Sequence, residues 1–286
     1  MDANIFSLIT LYNPSPTVLE NVREISNQVS HTFILDNSNY ANEEFYKLEN
    51  VTYFPNYRNL GLSAAFNKVL KTADFVDEDF ILFFDQDSKI SENYIEKLVQ
   101  EFETKRQEYK LGAIAPVIFD CNTSKNSMSR KFNSNTEQTI TILPRLITSS
   151  MLVPFHVLKE IDLWDENIFL DWADFDLTYR IRKAGYNCAI TSNAVLNHHL
   201  GDNNKKVFGR NFPYYTPIRE YYQVRDALRC AIKRTTPFKE KIGMFYVASL
   251  RALIHLLIFD GKIDRLKMHM KAWRDFFKHK VGVYER

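Results

Sequence analysis

Glycine is scarce in this chain, with 8 among 286 residues, and cysteine scarcer, with 3. No Gly-x-Gly-x-x-Gly occurs, so a dinucleotide-binding turn is unsupported. No Gly-x-x-x-x-Gly-Lys-Ser/Thr occurs either, which removes a P-loop. Cys121, Cys188 and Cys230 lie far apart, which argues against a disulfide framework and a zinc ribbon and fits a reducing compartment. His-Glu-x-x-His and Gly-x-Ser-x-Gly are missing. The start, Met1-Asp2-Ala3-Asn4, lacks basic residues, so no signal peptide is expected. There is no internal repeat, and the net charge of +2 favours neither sign. What is present is a folding composition: 45% hydrophobic and 25% charged residues exclude disorder or coiled coil as the main state. The length falls between one large domain and two small ones.

Short apolar runs alternate with helical periodicity. Ile5 to Leu11 is apolar without helical period and stops at the turn Tyr12-Asn13-Pro14, so it reads as a buried strand. Leu19, Val22, Ile25 and Val29 recur at helical spacing. Thr32 to Leu35, Val51 to Phe54 and Phe80 to Phe84 are further strands, with a helix over Ala64 to Ala73. This order implies a mostly parallel α/β sheet with helices on its faces. In such sheets, polar residues just past strand C-termini line the ligand crevice, which selects Thr10, Asp36 and Asp85. Beyond them come a helix at 91–109, a strand at Ala113 to Phe119, and a polar loop or β-excursion from Cys121 to Gln138. An apolar run spans Ile147 to Val153. A helix from Trp172 to Ala184 is closed by Gly185, and a strand runs from Ala189 to Leu196.

The last third has a different character. From Lys205 to Arg286 there are 19 Lys and Arg against 7 Asp and Glu, a net of +12, which leaves residues 1–204 at −10. Helices are expected over Tyr221 to Ile232, Phe238 to Phe259 and Lys262 to His279. The second is apolar but interrupted by Arg251 and His255. A membrane span, a buried packing helix and an interfacial helix are all open; the two polar interruptions make a span costly, and an interfacial helix can keep them at the headgroups.

Four groups of residues can carry chemistry. Asp85-Gln86-Asp87 follows the most apolar strand. An isolated Asp-x-Asp is ordinarily a solvated turn, but at a strand end two hard-oxygen carboxylates can hold Mg²⁺ or Mn²⁺. Asp171, Asp174 and Asp176 surround a helix start, where a cap cluster is the plain explanation. Asp176 pairs with Arg180 at i,i+4 and is assigned to structure, whereas Asp174 beside Trp172 can serve as a general base near a sugar platform. His198-His199 follows a strand; such a histidine is usually structural, yet imidazole suits Mn²⁺-type ions. Asn59-Leu60-Gly61 leads into a helix, with Gly61 allowing close backbone approach.

Taken in order, six segments resemble the family-2 glycosyltransferases, over residues 5–230. They are Leu8 to Pro14, Leu35-Asp36-Asn37-Ser38, Asn59-x-Gly61 with Asn67, Asp85-Gln86-Asp87-Ser88, Asp171 to Leu177 with Arg180 and Gly185-Tyr186, and His198-x-x-Gly201. The resemblance implies the GT-A nucleotide-sugar-binding fold with a helical C-terminal extension. It implies a catalytic domain at 1–215, with a nucleotide-binding half at about 1–110 and an acceptor half at about 111–215. A basic helical region at 216–286 follows. It implies donor contacts from Thr10, Tyr12, Asp36, Asn37, Asn59, Gly61 and Asp85, with Asp36 at the nucleobase. Asp85, Asp87 and His198 are then metal ligands, Asp174 the base, and Asp171 and Trp172 acceptor contacts. Family members commonly carry Glu-Asp where this chain has Ala173-Asp174, and Asp171 stands in for the missing carboxylate. Arg219-x-x-Tyr222-x-x-Arg225 and Asp-Trp-x-Asp resemble bacterial rhamnosyltransferases, with galactofuranosyltransferases close competitors; Arg219 and Arg225 would add charge at the leaving phosphates.

The expected activity is therefore inverting, Mn²⁺- or Mg²⁺-dependent transfer of a sugar, best L-rhamnose from dTDP-rhamnose, to a lipid-linked polysaccharide acceptor of the cell surface. The basic tail suggests peripheral attachment at the cytoplasmic face of the plasma membrane. Nucleic acid is not expected as a partner, since no recognised motif accompanies the basic helices. Homo-oligomerisation is left open. The rival readings are a UDP-hexose donor and a membrane-surface or nucleotide-binding module without turnover.

Overall fold

Phe80–Phe84 is the most apolar stretch of the sheet, and all five side chains are buried. A strand covered on both faces needs layers above and below it, and the molecule is built around that need. The coordinates are a computed structural model and describe residues 3–120, 125–126, 139–198, 204–207 and 210–284. In the first half, β1 (Ile5–Leu11), α1 (Val18–Ser26), β2 (His31–Asp36), β3 (Val51–Pro55), α2 (Leu62–Leu70), β4 (Phe80–Asp85) and α3 (Tyr94–Tyr109) follow in order. Next come β5 (Leu111–Asp120), β6 (Lys125–Asn126), β7 (Ile140–Leu143), β8 (Met151–Pro154), α4 (Phe155–Glu160), α5 (Ala173–Lys183) and β9 (Asn187–His198). A hairpin of β10 (Asn204–Val207) and β11 (Arg210–Pro213) precedes α6 (Pro217–Ile232), α7 (Phe238–Tyr246), a π turn (Val247–Arg251), α8 (Ala252–Ile258) and α9 (Lys262–Phe277).

The central sheet runs β3-β2-β1-β4-β8-β5-β9-β7, with β6 paired to β5. Its first four strands are parallel, as the sequence pattern requires. Beyond them the sheet is mixed: β8 runs antiparallel between β4 and β5, and β7 antiparallel to β9. Because β8 opposes β4, the residues just before Met151 lie beside the C-terminal end of β4. Strand order reverses between β1 and β4, the switch point at which open α/β sheets leave a crevice. The register there sets Thr10 beside both Leu35 and Asp85, and Leu11 beside Asp36.

Helix ends follow their local chemistry. α5 closes at Gly185, whose φ of +94° is the left-handed conformation that glycine accepts without strain, and Tyr186 N–H then returns to the Ile181 carbonyl. One side of the sheet packs into a cluster that also takes in Tyr221, Leu228, Met244, Ala252 and Ala272, so the C-terminal helices share their core with the sheet. The other side packs on α1 and α3 through Val22, Ile25, Tyr94 and Phe102.

Candidate active site

The crevice wall is made by the ends of β1, β2 and β4. Tyr12 N–H donates to Gln86 Oε1 at 2.9 Å, and Asn13 N–H to Ser38 Oγ at 2.8 Å, so the turns after these strands are tied together. Asn37 is a second knot. Its backbone N–H reaches the Leu11 carbonyl (2.8 Å), its Nδ2 donates to the Gly61 carbonyl (3.1 Å), and its Oδ1 accepts from Asn56 (3.1 Å). Asn59 Oδ1 accepts from Gly61 N–H at 2.9 Å and sets the turn that starts α2.

Gly61 has φ +81°, and a Cβ there would lie 2.5 Å from the Phe169 carbonyl oxygen and 2.7 Å from the Phe169 ring. Phe169 is thus a keystone. Its carbonyl accepts from Leu62 N–H (2.7 Å), its N–H donates to Asp226 Oδ2 (2.8 Å), and its ring stacks on Tyr222 at 3.9 Å. The loop that carries Asp171 and Asp174 is in this way fixed to both α2 and α6.

Across the crevice, Ser149 Oγ donates to Asp85, which the antiparallel run of β8 makes accessible. Asp174 sits half-buried in the first turn of α5, and its Oδ1 accepts from Phe175 N–H at 2.8 Å. Burial pushes its carboxyl up to about 8. The negative charges of Asp85 and Asp171 push the same way, while the Phe175 and Thr148 amides pull against them. Arg219 grips Asp171 with Nη2 at 2.6 Å and Nε at 3.2 Å, lies 5.0 Å from the centre of the Tyr215 ring, and also feels Asp85. Trp172 is half-buried, with its ring N–H donated to the Gln223 carbonyl at 3.0 Å.

The structure gathers most of the sequence-derived residues here. Thr10, Tyr12, Asn37, Asn59, Gly61 and Asp85 lie on the β1/β2/β4 side, and Asp171, Trp172, Asp174 and Arg219 opposite them. Asp87 follows Gln86 in the same turn and is half-buried. Asp176 is structural as expected, bound to Arg180 at 2.8 Å and Lys233 at 2.5 Å.

Other expectations need correction. Asp36 is fully buried, and its oxygens accept from Ser38 N–H (2.8 Å), Asn42 Nδ2 (2.6 Å) and the Tyr53 hydroxyl (2.6 Å). It shapes the wall and offers no surface to a base. Arg225 is also fully buried; Asp226 takes its Nε donor and the Tyr221 hydroxyl and the Gly282 carbonyl its Nη1, so it supports Phe169 through Asp226 instead of reaching phosphates. Arg251 and His255 do not face outward towards headgroups. Arg251 donates to Gln223 Oε1 and lies 5.8 Å from the Tyr215 ring centre, while His255 binds Glu220 at 2.9 Å. His198 ends β9, and its side chain, like His199 and Gly201, lies outside the described residues, as do nearly all of residues 121–138.

Ser149 is an addition that the sequence reading missed. Ser149 was hidden inside an apolar run, although the polar triplet Thr148-Ser149-Ser150 was a signal. For a divalent cation, the donor set is suitable: hard carboxylate oxygens from Asp85 and Asp87. Among the described residues, no group of three His, Cys, Asp or Glu side chains stands ready to hold a metal. The remaining ligands would come from the diphosphate or from residues outside that set.

A parallel-strand crevice at the switch point, with carboxylates converging from β4 and α5, is the arrangement of a GT-A glycosyltransferase. The sequence profile of glycosyl transferase family 2 matches residues 8–160, more than half the chain, and this protein belongs to that family. It is a glycosyltransferase, and it resembles the rhamnosyltransferases: it is 26% identical over 294 residues to dTDP-rhamnosyl transferase RfbF of Shigella flexneri, covering 99% of this chain and 98% of that one. Among solved structures, S. aureus TarS 1-349 in complex with UDP-GlcNAc superposes with a TM-score of 0.59 at 14% identity, over 96% of this chain and 81% of that one. GalNAc-T7 with UDP, GalNAc and Mn²⁺ gives 0.57 at 14% identity; this chain spans 56% of its length. Both share the fold.

Proposed function

We propose that this enzyme transfers L-rhamnose from dTDP-rhamnose to a hydroxyl of a growing, lipid-linked bacterial surface polysaccharide, with inversion at the anomeric carbon and with the help of a divalent cation. The observation that carries the reading of the chemistry is the half-buried Asp174 carboxyl in the first turn of α5, raised to about 8 by burial and by the charges of Asp85 and Asp171. A base works best when its proton affinity lies near the working pH. End-to-end similarity to a dTDP-rhamnosyl transferase supports the donor.

In this mechanism Asp174 takes the proton of the acceptor hydroxyl as that oxygen attacks the anomeric carbon. The bond to the diphosphate breaks, and its electron pair leaves with the phosphate oxygen. Arg219, already poised on Asp171, turns donors to the leaving phosphates. Asp171 and Trp172 orient the acceptor. Asp85 and Asp87, with His198 as a further candidate, would hold Mn²⁺ or Mg²⁺, which supplies neutralising charge for the diphosphate. Ser149 fixes the orientation of Asp85.

The test is a donor panel of dTDP-rhamnose, UDP-galactofuranose, UDP-glucose and UDP-galactose, with released nucleoside diphosphate as the readout. Preference for dTDP-rhamnose is expected. Turnover only with a UDP-sugar would replace the donor, and a product of retained anomeric configuration would remove the single-displacement mechanism.

A further inference from the structure

The C-terminal helices turn Arg251, His255, Arg265 and His269 inward and leave a series of large apolar side chains outward. Along Phe238–Ile258, Met244, Ala248 and Ala252 pack into the core, while Arg251 and His255 are hydrogen-bonded to Gln223 and Glu220 of α6. The opposite side of this helix exposes Phe238 (77%), Leu253 (56%) and Leu257 (72%). On α9 the exposed apolar positions Ile263, Leu266, Met270 and Phe277 recur at helical spacing. That is an extended apolar surface on two neighbouring elements, larger than scattered single residues would make.

Two features say what covers it. Exposed Lys262 and Lys267 flank the apolar stripe of α9, and Lys239 lies beside Phe238. On these helices exposed Lys239, Lys262, Lys267 and Arg274 outnumber exposed Asp260 and Asp264, in a segment whose formal charge from Lys205 onward is +12, so a second copy docking face to face would set two basic surfaces against each other. An anionic lipid surface accepts both the side chains and the charge.

Phe238–Ile258 has 21 residues and is long and apolar enough to cross a bilayer. Crossing would, however, tear Arg251 and His255 from α6 and expose the core-facing alanines to lipid. We propose that the outward face of α7, α8 and α9 lies in the plane of an anionic membrane surface, its apolar side chains entering the headgroup boundary and its lysines contacting lipid phosphates, without spanning.

The experiment uses the full chain and vesicles of phosphatidylcholine with or without phosphatidylglycerol, read by co-sedimentation. No sugar nucleotide is present, so its outcome is independent of the donor assignment. Binding to the phosphatidylglycerol vesicles, weakened by salt, is expected. Leu253→Glu with Leu257→Glu should lower partitioning about 100-fold or more, since two leucines that would enter the lipid are lost. Lys262→Glu with Lys267→Glu should lower it about 30-fold or more. All four positions are exposed, so circular dichroism should be unchanged. Three results would overturn the proposal: no binding to the anionic vesicles, binding indifferent to both variant pairs, or binding that survives alkaline carbonate as a spanning protein does. A dimer in light scattering that Leu253→Glu with Leu257→Glu abolishes would assign the face to a second copy instead.

Discussion

Glu220 is a buried anion shared by three helices, and removing its charge should cost a measurable part of the fold. On α6, its Oε1 accepts from Arg265 and from His255 Nδ1 at 2.9 Å, and its Oε2 from His269 Nε2 at 2.9 Å. Burial alone would push this carboxyl up. The hydrogen bonds from the two histidines and the charge of Arg265 outweigh burial and hold it down at about 2, against an ordinary 4.5. That difference corresponds to about 3 kcal/mol of stability. Because the folded value is the lower one, the contribution is complete above about pH 4.5 and fades as the pH falls towards 2.

Glu220→Gln keeps the volume and removes the charge, leaving Arg265, itself 1% exposed, without its anion. Breaking a buried pair from one side costs about 3–5 kcal/mol, the same size by a separate route. Urea unfolding followed by circular dichroism should show the variant about 3 kcal/mol less stable at pH 7, with the gap narrowing steadily at pH 4 and pH 3. A loss under about 1 kcal/mol at pH 7, or a gap that stays constant with pH, would refute the account.

Three further outcomes are expected. Asp174→Asn should lower kcat by roughly 10²–10⁴-fold, the usual range for a lost general base, while donor binding measured by calorimetry persists. Asp87→Ala should abolish transfer, and a chelator should do so reversibly with Mn²⁺ or Mg²⁺ restoring it; full activity in excess chelator would take the cation out of the reaction. Gly61→Ala must hold φ near +81° and push the Phe169 carbonyl away, so it should cost about 2 kcal/mol or more in unfolding and raise the donor KM.

The parallel half of the sheet was legible because its strands are short apolar runs, with Asp36 and Asp85 closing β2 and β4 and Thr10 one residue from the end of β1. The same rule could not tell which of these face the crevice. Asp36 is turned inward by Asn42 and Tyr53, and Tyr53 lies 17 residues away along the chain. β8 has four residues, too few for a periodic signal, so its direction and the placing of Ser149 beside Asp85 came only from the fold. Arg251 and His255 read as breaks in an apolar helix because their partners lie 28 and 35 residues upstream. Arg225 carries a charge that suits phosphate, yet the residue beside it, Asp226, claims it.

The π turn at Val247–Arg251 has a consequence for how this chain can vary in length. In a regular α-helix, residues four apart drift by about 40° around the axis, so Met244, Ala248 and Ala252 would spread over about 80°. A wider turn slows that drift and keeps all three in one core cluster. The turn is in effect one surplus residue absorbed by the helix. Deleting a residue within 247–251 would restore the ordinary pitch and rotate everything after it by about 100°. His255 would swing away from Glu220, and Leu257 would swing towards the core. This segment should therefore tolerate exchange of its outward side chains far better than the loss of a single position, since its phase decides which side is oily.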